Sequence, residues 1–476
     1  MLELPSHGRT HREIVAEAER VAKKATLWNL AASMVNALTS VVLLFVLTRV
    51  TSIEIAGMFS IAYANANLWL NLGKYGMRPF QVSDWVERFS YAEYWISRLI
   101  TTALMVVGGL AWLAYAVSTG GYTDYKVAVV AWMVAFKAVD ALEDMYHGRY
   151  QQQGQLDVAA MLLTLRMGST LVVFSVLAAL SHDLLMPLVV STLYTLVFWN
   201  AGVVWARSRY DFARIGGRLS MREVAALLRE AAPLAVQAFL VFYVGNAAKY
   251  SIDALMDDGA QACFNFIAMP IFVVSLLAST IYNPLIVGFT SHWNEGRRAP
   301  FMAMLRRQLL IIAGLTAGCD VLCALFGVPV LSWLFNTDLS AYWWELLILM
   351  TGGGLSALTM FLATILTVIR RQKWLAAGYV PAALFAFLAS DPFVSAWGLT
   401  GASWVYFIAV ALPVAFFSVV TWVFLNRPEA FSAAGAGPVE VDVVVKDADG
   451  SSGDGRADAG CADAGRAGDE HASDEG

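Results

Sequence analysis

Charged residues interrupt the fourth of a series of apolar stretches in this sequence. Lys137 is followed by Asp140 and Asp144 at spacings of three and seven, which place the three side chains on one helical face. Arg166 lies about a third of the way into the next stretch, the antiparallel neighbour. Ionisable groups inside a membrane are costly and usually face a cavity or a partner. The spacing predicts either a charged cavity wall or ion pairs that make each other tolerable, with Glu143 pointing elsewhere.

Four further charged residues lie in apolar stretches. Arg98, at the edge of the third stretch, either joins the cavity or extends to the membrane interface. Lys249 and Asp253 are four residues apart, so they form either a local pair or a ligand site. Asp320, near the middle of the ninth stretch, has no basic residue nearby in sequence. It is either a proton or cation site or a group that is protonated or bonded to a neighbour.

Six asparagine side chains add polar groups to the same apolar stretches. Such amides usually bond neighbouring helices, and the alternative is that they line a polar passage. The six are Asn29, Asn36, Asn65, Asn67, Asn246 and Asn265.

The chain that carries these polar groups is otherwise strongly apolar. Hydrophobic residues make up 58% of the 476 residues and charged residues 14%, and the apolar residues come in blocks of about 20, long enough to cross a hydrocarbon core of about 30 Å. We therefore predict an all-α integral membrane protein. Its twelve spans lie near residues 25–48, 53–73, 95–117, 126–147, 158–180, 184–206, 231–252, 260–283, 308–332, 341–369, 374–390 and 399–425.

Lys and Arg are unevenly distributed between the loops. One set of loops and the N-terminus hold 22 of them, and the opposite loops hold only Arg49 and Lys126. Because basic residues mark the cytoplasmic side, the N-terminus is expected in the cytoplasm, and an even number of spans returns the C-terminus there. We expect a multi-pass protein of the cytoplasmic membrane. Residues 1–24 are polar, so the first span itself is expected to be the insertion signal.

These patterns divide the chain into five predicted parts. They are a polar cytoplasmic segment (1–24), a six-helix bundle (25–206), a basic connector (207–230), a second six-helix bundle (231–426) and an acidic, disordered cytoplasmic tail (427–476). An interfacial helix is predicted at the end of the connector, in SMREVAALLREA. From Glu429 onward there are twelve acidic and three basic residues, so the acidic balance belongs to the tail.

Several function classes are disfavoured. The loops opposite the basic ones are too short for a catalytic domain, and no Gly-rich phosphate loop is present. We therefore predict that the protein is not an enzyme and is not powered directly by ATP. The four cysteines lack the spacing of a zinc site or a disulfide framework, so no cofactor or metal is expected. No nucleic-acid partner is expected either.

Several segments together resemble the polysaccharide flippase family, in the superfamily that also contains the multidrug and toxin extrusion transporters. They are YGMRPFQVSD (75–84), DALEDMYHGRYQQQGQLD (140–157), LRM (165–167), NAAKYSID (246–253), QACFNFIAMPIF (261–272) and GVPVLSW (327–333). The match covers about residues 20–425.

The resemblance implies two six-helix bundles around a central cavity. It also implies movement of an undecaprenyl-diphosphate-linked oligosaccharide between leaflets, with membrane lipids, a polysaccharide polymerase and glycosyltransferases of the same pathway as partners. A cationic cavity is common in the family, and the candidates that bind the substrate are Lys137, Arg166, Lys249 and Arg98. The candidates for ion coupling are Asp140, Asp144, Asp320 and Asp253. The sequence departs from a purely cationic pattern because Asp140 and Asp144 lie among the cations.

Two alternatives remain open on sequence. A cation-coupled multidrug antiporter of the same superfamily would have the same fold with an acidic or aromatic cavity. A polytopic glycan polymerase or glycosyltransferase is disfavoured, because such enzymes generally carry a long outer loop with catalytic residues.

The predicted topology can be tested with reporter fusions. We expect fusions at Gly120, Asp257 and Asp338 to report an external location. Fusions at residues 154, 216 and 372 should report the cytoplasm, because the basic loops stay inside. Paired enzymatic reporters that are active on only one side of the membrane make the measurement, and a reversed result at two successive positions would remove a span.

Overall fold

The computed structural model describes residues 11–84, 87–119, 121–210 and 215–426, with side chains from residue 26 onward. The predicted tail (427–476) and the first ten residues of the predicted polar segment lie outside the described residues. Within these ranges the chain forms fifteen α-helices. They are α1 His11–Val50, α2 Ile53–Lys74, α3 Met77–Ser83, α4 Tyr91–Ser118, α5 Asp124–Gln152, α6 Leu156–Ser181, α7 Leu185–Arg209, α8 Met221–Leu255, α9 Asp258–Ala268, α10 Ile271–Tyr282, α11 Ile286–Asn294, α12 Arg298–Leu322, α13 Val328–Phe335, α14 Trp343–Val368 and α15 Lys373–Leu425.

The predicted all-α membrane fold is confirmed, with twelve crossings in two six-helix halves. Among the described residues, nine stretches are long and apolar enough to span a membrane. One of these, α15, crosses twice, which makes ten crossings. Helices α2 and α5 are the other two; they carry too many polar residues to meet that criterion. The first half comprises α1, α2 and α4–α7. The second comprises α8, α9–α11, α12–α13, α14 and the two arms of α15.

Helix α15 folds back on itself at Gly398. The backbone there has φ 55° and ψ −132°, a conformation that is essentially restricted to glycine. Ring contacts show that its two arms are antiparallel: Trp374 lies 6.2 Å from Phe424, and Tyr379 lies 5.6 Å from Phe417 between ring centroids. The last two predicted spans are therefore two arms of a helical hairpin.

The eighth predicted span is interrupted in two places. The helix stops between α9 and α10, at Met269 and Pro270, and a short 3₁₀ turn over Asn283–Leu285 separates α10 from α11. Each proline lacks an N–H donor, which breaks the ladder of backbone hydrogen bonds. In the sequence, Pro270 and Pro284 mark the two interruptions. It did not indicate the π-helical turn over Cys323–Gly327 that joins α12 to α13.

The predicted interfacial helix is wrong. SMREVAALLREA forms the first three turns of α8, which runs without interruption through Pro233 to Leu255. Its apolar face is covered by the first half, because Leu227 packs with Met77, Tyr94 and other buried residues near the ends of α2, α4 and α5. An amphipathic segment needs an apolar surface, and here protein supplies that surface instead of lipid. Helix α1 likewise begins at His11, ahead of the predicted span.

The crossings alternate in direction, so the bundle has two ends. We call the end that holds the C-terminus of α2 and the N-terminus of α6 the basic end, because Lys74, Arg78 and Arg149 lie there. At the opposite end, α5 begins, α8 ends and α9 begins.

Ion pairs join the two halves at this opposite end. Lys126, predicted to lie in a loop, is 5% exposed in the first turn of α5. Its Nζ lies 2.7 Å from Asp253 in α8 and 2.6 Å from Asp258 in α9. The Tyr122 hydroxyl donates to Asp253 at 2.6 Å. Nearby, the Arg49 guanidinium donates to backbone oxygens of α13. We refer to Lys126, Asp253 and Asp258 as the outer lock.

Replacement of Lys126 by Met should loosen the opposite end. It leaves Asp253 and Asp258 without their shared cation, and breaking a buried ion pair costs on the order of 3–5 kcal/mol. Faster hydrogen exchange in the first turns of α9, measured on the purified protein by mass spectrometry, is the expected result. The matched control is Lys373→Met, at an exposed lysine that begins α15. Unchanged exchange in α9 of the Lys126 variant would show that the outer lock does not hold this end together.

Candidate functional site

A polar cavity of about 370 Å³ lies between α1, α2, α5 and α6 and reaches the basic end. Its walls combine amides from α1 and α2 with charges from α5 and α6. The polar lining residues are Asn29, Ser33, Asn36, Asn67, Asn71, Lys74, Arg78, Lys137, Asp140, Glu143, Asp144, His147 and Arg166. We call it the entry cavity.

Four charged side chains on α5 and α6 form a connected chain of ion pairs in the wall of the entry cavity. The Arg166 guanidinium lies 2.7 Å from Asp140 and 2.6 Å from Glu143, and Lys137 Nζ lies 3.1 Å from the other oxygen of Asp140. The predicted orientation of Glu143 is therefore wrong: it faces Arg166, because α6 packs across the side of α5 on which Glu143 projects. Two cations and two carboxylates make this quartet neutral. Lys137 also lies over the Tyr63 ring at 4.5 Å.

A second ion pair ties α4 to α5. Arg98 is fully buried and donates to Asp144 at 3.0 Å and to the Gly73 carbonyl oxygen at 2.8 Å. Extension of Arg98 to the membrane interface is therefore wrong, since α2 and α5 cover it completely. Arg78 lies 3.7 Å from the other oxygen of Asp144. Hence Asp144, like Asp140, is neutralised by cations of the first half.

A second cavity, of about 410 Å³, lies deeper, between the two halves. It shares the wall residue Phe242 with the entry cavity, and we call it the central cavity. Lys249 of α8 lines it beside Asn246 and Asn265. The local Lys249–Asp253 pair considered from sequence is not formed, because Asp253 pairs with Lys126 instead. Within the described residues, Lys249 has neither an ion-pair partner nor a hydrogen-bond partner.

The remaining candidates lie apart from both cavities. Asp320 on α12 accepts a hydrogen bond from the Thr351 hydroxyl at 3.2 Å and is not among the residues that line either cavity. Asn65 is structural, because its side-chain oxygen accepts from Trp69 Nε1 at 3.0 Å. Cys263, Cys319 and Cys323 are free thiols. No group of potential metal ligands occurs in the described part of the chain.

Sequence reasoning missed Lys74 and Arg78 as cavity residues, because both lie just beyond a predicted span and were counted only as markers of orientation. The polar spacing of α2 could have indicated Lys74, since Ser60, Asn67, Asn71 and Lys74 recur at helical intervals. Within the described residues, Lys74 has no ion-pair partner. Lys74 nevertheless acts electrostatically on Asp140, Glu143 and Asp144. Lys249 is thus the cavity lysine that has no carboxylate partner among the described residues.

Comparison with known proteins supports the fold. The sequence matches no family model, and no curated protein matches it. Solved structures do match. One is an inward-facing multidrug-resistance transporter of the MATE family in the MOP superfamily, with TM-score 0.63 and 12% identity over 85% of this chain and 98% of that one. Another is the lipid II flippase MurJ in an inward closed conformation, with TM-score 0.66 and 9% identity over 85% of this chain and 90% of that one.

A third match is a MOP superfamily transporter from Pyrococcus furiosus, described as having a binding pocket of reverse polarity. It has TM-score 0.53 and 13% identity over 87% of this chain and 96% of that one. At such low identities the matches establish the fold alone: this chain has the fold of MOP superfamily transporters. The structures it resembles are transporters and flippases and not enzymes, in agreement with the sequence-based prediction.

The quartet should govern stability. Arg166→Met removes the arginine that pairs with Glu143 and leaves Asp140 with Lys137 alone, so we expect a loss on the order of 3–5 kcal/mol. Lys137→Met combined with Asp140→Asn keeps the Arg166–Glu143 pair and should cost less than the two single changes added together. Thermal unfolding in detergent and the amount of protein in membranes measure both effects. Lys373→Met, at the exposed lysine that begins α15, is the control and should unfold like the original protein. An Arg166 variant of unaltered stability would contradict this assignment.

Proposed function

We propose that this protein is a flippase for a polyprenyl-diphosphate-linked oligosaccharide in the synthesis of a surface polysaccharide. Support comes from the fold, which is shared with a lipid II flippase, and from segment resemblances to polysaccharide flippases across both halves. The observation that carries the proposal is Lys249, an unpaired cation in a cavity between the halves. In transporters of this architecture, substrate sites lie near the middle of the membrane between the repeats.

An anionic headgroup explains why a lysine is retained there. An unpaired cation inside the bilayer is costly, so its presence points to a function. At 4 Å, two opposite unit charges attract by about 1 kcal/mol in water but by about 4 kcal/mol at an effective dielectric of 20. A diphosphate entering the central cavity would therefore gain from Lys249 an attraction that water does not provide.

The entry cavity provides the approach to this site. Lys74 lines the cavity at the basic end, and among the described residues it forms no ion pair, although its charge acts on Asp144. Arg78 is held by its contacts to Asp144 and Gln151. We propose that Lys74 receives the diphosphate first and that Lys249 holds it in the central cavity. Lys137, Arg166 and Arg98, the first substrate-binding candidates, instead serve chiefly to compensate the carboxylates of α5. This division assigns binding to the unpaired lysines and rigidity to the paired residues.

The distribution of Lys and Arg gives the orientation of the protein in the membrane. By the positive-inside rule the basic end faces the cytoplasm, so both termini would lie there and the entry cavity would open to the inner leaflet. The outer lock would close the external end. Alternating access would then carry the headgroup outward, with the polymerase and glycosyltransferases of the same pathway acting before and after the flippase.

The multidrug antiporter is the second candidate function. An antiporter for organic cations needs an acidic group that its substrate can reach. In the entry cavity, however, Asp140, Glu143 and Asp144 are each within ion-pairing distance of an arginine. Among the ion-coupling candidates, Asp253 is likewise held by Lys126. The electrostatic arrangement therefore favours an anionic substrate over a cationic one.

Lys249→Met should abolish transport without loss of stability. The lysine has no counter-ion in the described protein, so its removal leaves no buried charge behind, unlike removal of Arg166. In proteoliposomes loaded with undecaprenyl diphosphate bearing a short oligosaccharide, we expect transfer between leaflets to fall at least tenfold. Lys249→Arg should keep part of the activity, because it preserves the charge.

Lys373→Met is the matched control and should transport normally. Cationic dyes are tested in the same vesicles. Dye transport that persists in the original protein, together with no lipid transfer, would favour the antiporter and contradict the flippase.

A further inference from the structure

Polar side chains form two stripes that face the cavities from the first half. On α1 they recur at intervals of four, three and four residues, and on α2 at three, four, four and three, so each set lies along one helical face. The α1 stripe comprises Asn29, Ser33, Asn36 and Ser40. The α2 stripe comprises Ser60, Tyr63, Asn67, Asn71 and Lys74.

The two stripes link the entry cavity to the central cavity. Ser40, Ser60 and Tyr63 line the central cavity, while Asn36 and Asn67 line the entry cavity. From residue 60 to residue 74, α2 rises about 21 Å, more than half of the hydrocarbon thickness. The cavities, at about 370 and 410 Å³, fall within the size range of sites for small-molecule ligands.

The side-chain amides in these stripes have hydrogen-bond donors or acceptors that contacts between helices do not satisfy. Asn67 and Asn71 each donate one N–H to the carbonyl oxygen four residues earlier, at 2.7 and 2.8 Å, and no described residue donates to their side-chain oxygens. The side-chain amides of Asn29 and Asn36 have no hydrogen-bond partner among the described residues. Asn65 differs in lining neither cavity. Its side-chain oxygen accepts a hydrogen bond from Trp69, and its side-chain nitrogen is buried.

We propose that the two stripes form a carbohydrate-binding surface that recognises the hydroxyl groups of the glycan while the lysines hold the diphosphate. Amide and hydroxyl groups can both donate and accept hydrogen bonds, as can sugar hydroxyls. They are also uncharged, so they do not compete for the diphosphate. This inference rests on the proposed function and adds to it a recognition site for the sugar part of the substrate.

The test compares three probes on the purified protein in nanodiscs. They are undecaprenyl diphosphate, the same lipid linked to a neutral trisaccharide, and the free trisaccharide. We expect the glycosylated lipid to bind more tightly than the bare lipid. Asn36→Ala combined with Asn67→Ala should weaken binding of the glycosylated lipid about tenfold, as for the loss of two or more hydrogen bonds, and should leave the bare lipid unaffected. Weak binding of the free trisaccharide, lost in the same variant, would show that the sugar alone is recognised.

Asn200→Ala is the matched control. Asn200 makes the same bond to the carbonyl four residues earlier, at 2.8 Å, but lies on an exposed face of α7 and should change no affinity. Asn36→Ala alone removes no protein hydrogen bond and replaces the double variant if that variant unfolds.

The two proposals fail in different ways. Equal binding of the bare and glycosylated lipids by the original protein, or an unchanged difference in the Asn36 and Asn67 variant, would overturn the carbohydrate surface alone. Failure of the original protein to bind or transfer either lipid would overturn the flippase itself.

Discussion

Compensation of charge on α5 is the constraint on which the first half depends. This helix carries Lys137, Asp140, Glu143 and Asp144 through a region where an uncompensated charge would cost several kcal/mol. The neighbouring helices supply the compensating positive charges. Helix α6 supplies Arg166, and α4 supplies an Arg98 side chain that is completely buried. The contact of Arg98 with the Gly73 carbonyl oxygen brings the end of α2 into the same network. Four of the six crossings of the first half are thereby fixed relative to one another by polar contacts.

Once these ion pairs are accounted for, the polar groups that remain available to bind a ligand can be identified. The carboxylates near the entry cavity are paired, whereas Lys74, Lys249 and a row of amides face open space. This pattern places exposed or half-buried polar groups, among them Asn29, Asn36 and Lys249, against open space. It is typical of a surface that exchanges water for a polar ligand. Under the proposed function, the lysines would bind the diphosphate and the uncharged amides would bind the glycan.

The sequence predicted the twelve crossings because hydropathy and the alternation of basic loops are local properties of the chain. It also placed Asp140 and Arg166 on adjacent antiparallel spans, either in a cavity wall or in ion pairs. It failed where partners come from distant segments. The pairing of Lys126 with Asp253 joins residues 127 positions apart, and no periodicity along one helix indicates such a contact. For the same reason the sequence left open whether Lys249 pairs with Asp253 or belongs to a ligand site. Its neighbours in the folded protein decide between the two. The orientation of Glu143 was misjudged because the position of α6 around α5 depends on tertiary packing.

The location of each ion pair bears on how such a molecule would change conformation. The quartet and the Arg98–Asp144 pair lie entirely within the first half, on α4, α5 and α6. The outer lock and the contacts of Arg49 instead connect the first half to the second. Helix α5 takes part in both sets, because Lys126 and Asp140 are fourteen residues apart on it, about 21 Å along the axis. A rocking motion that opened the opposite end would separate Lys126 from Asp253 and Asp258 but would leave the quartet intact. Strong contacts within a half and separable contacts between halves are what rigid-body alternating access requires. In that motion α5 would move as a rigid element of the first half, so that opening of the outer lock and movement of the entry-cavity wall occur together.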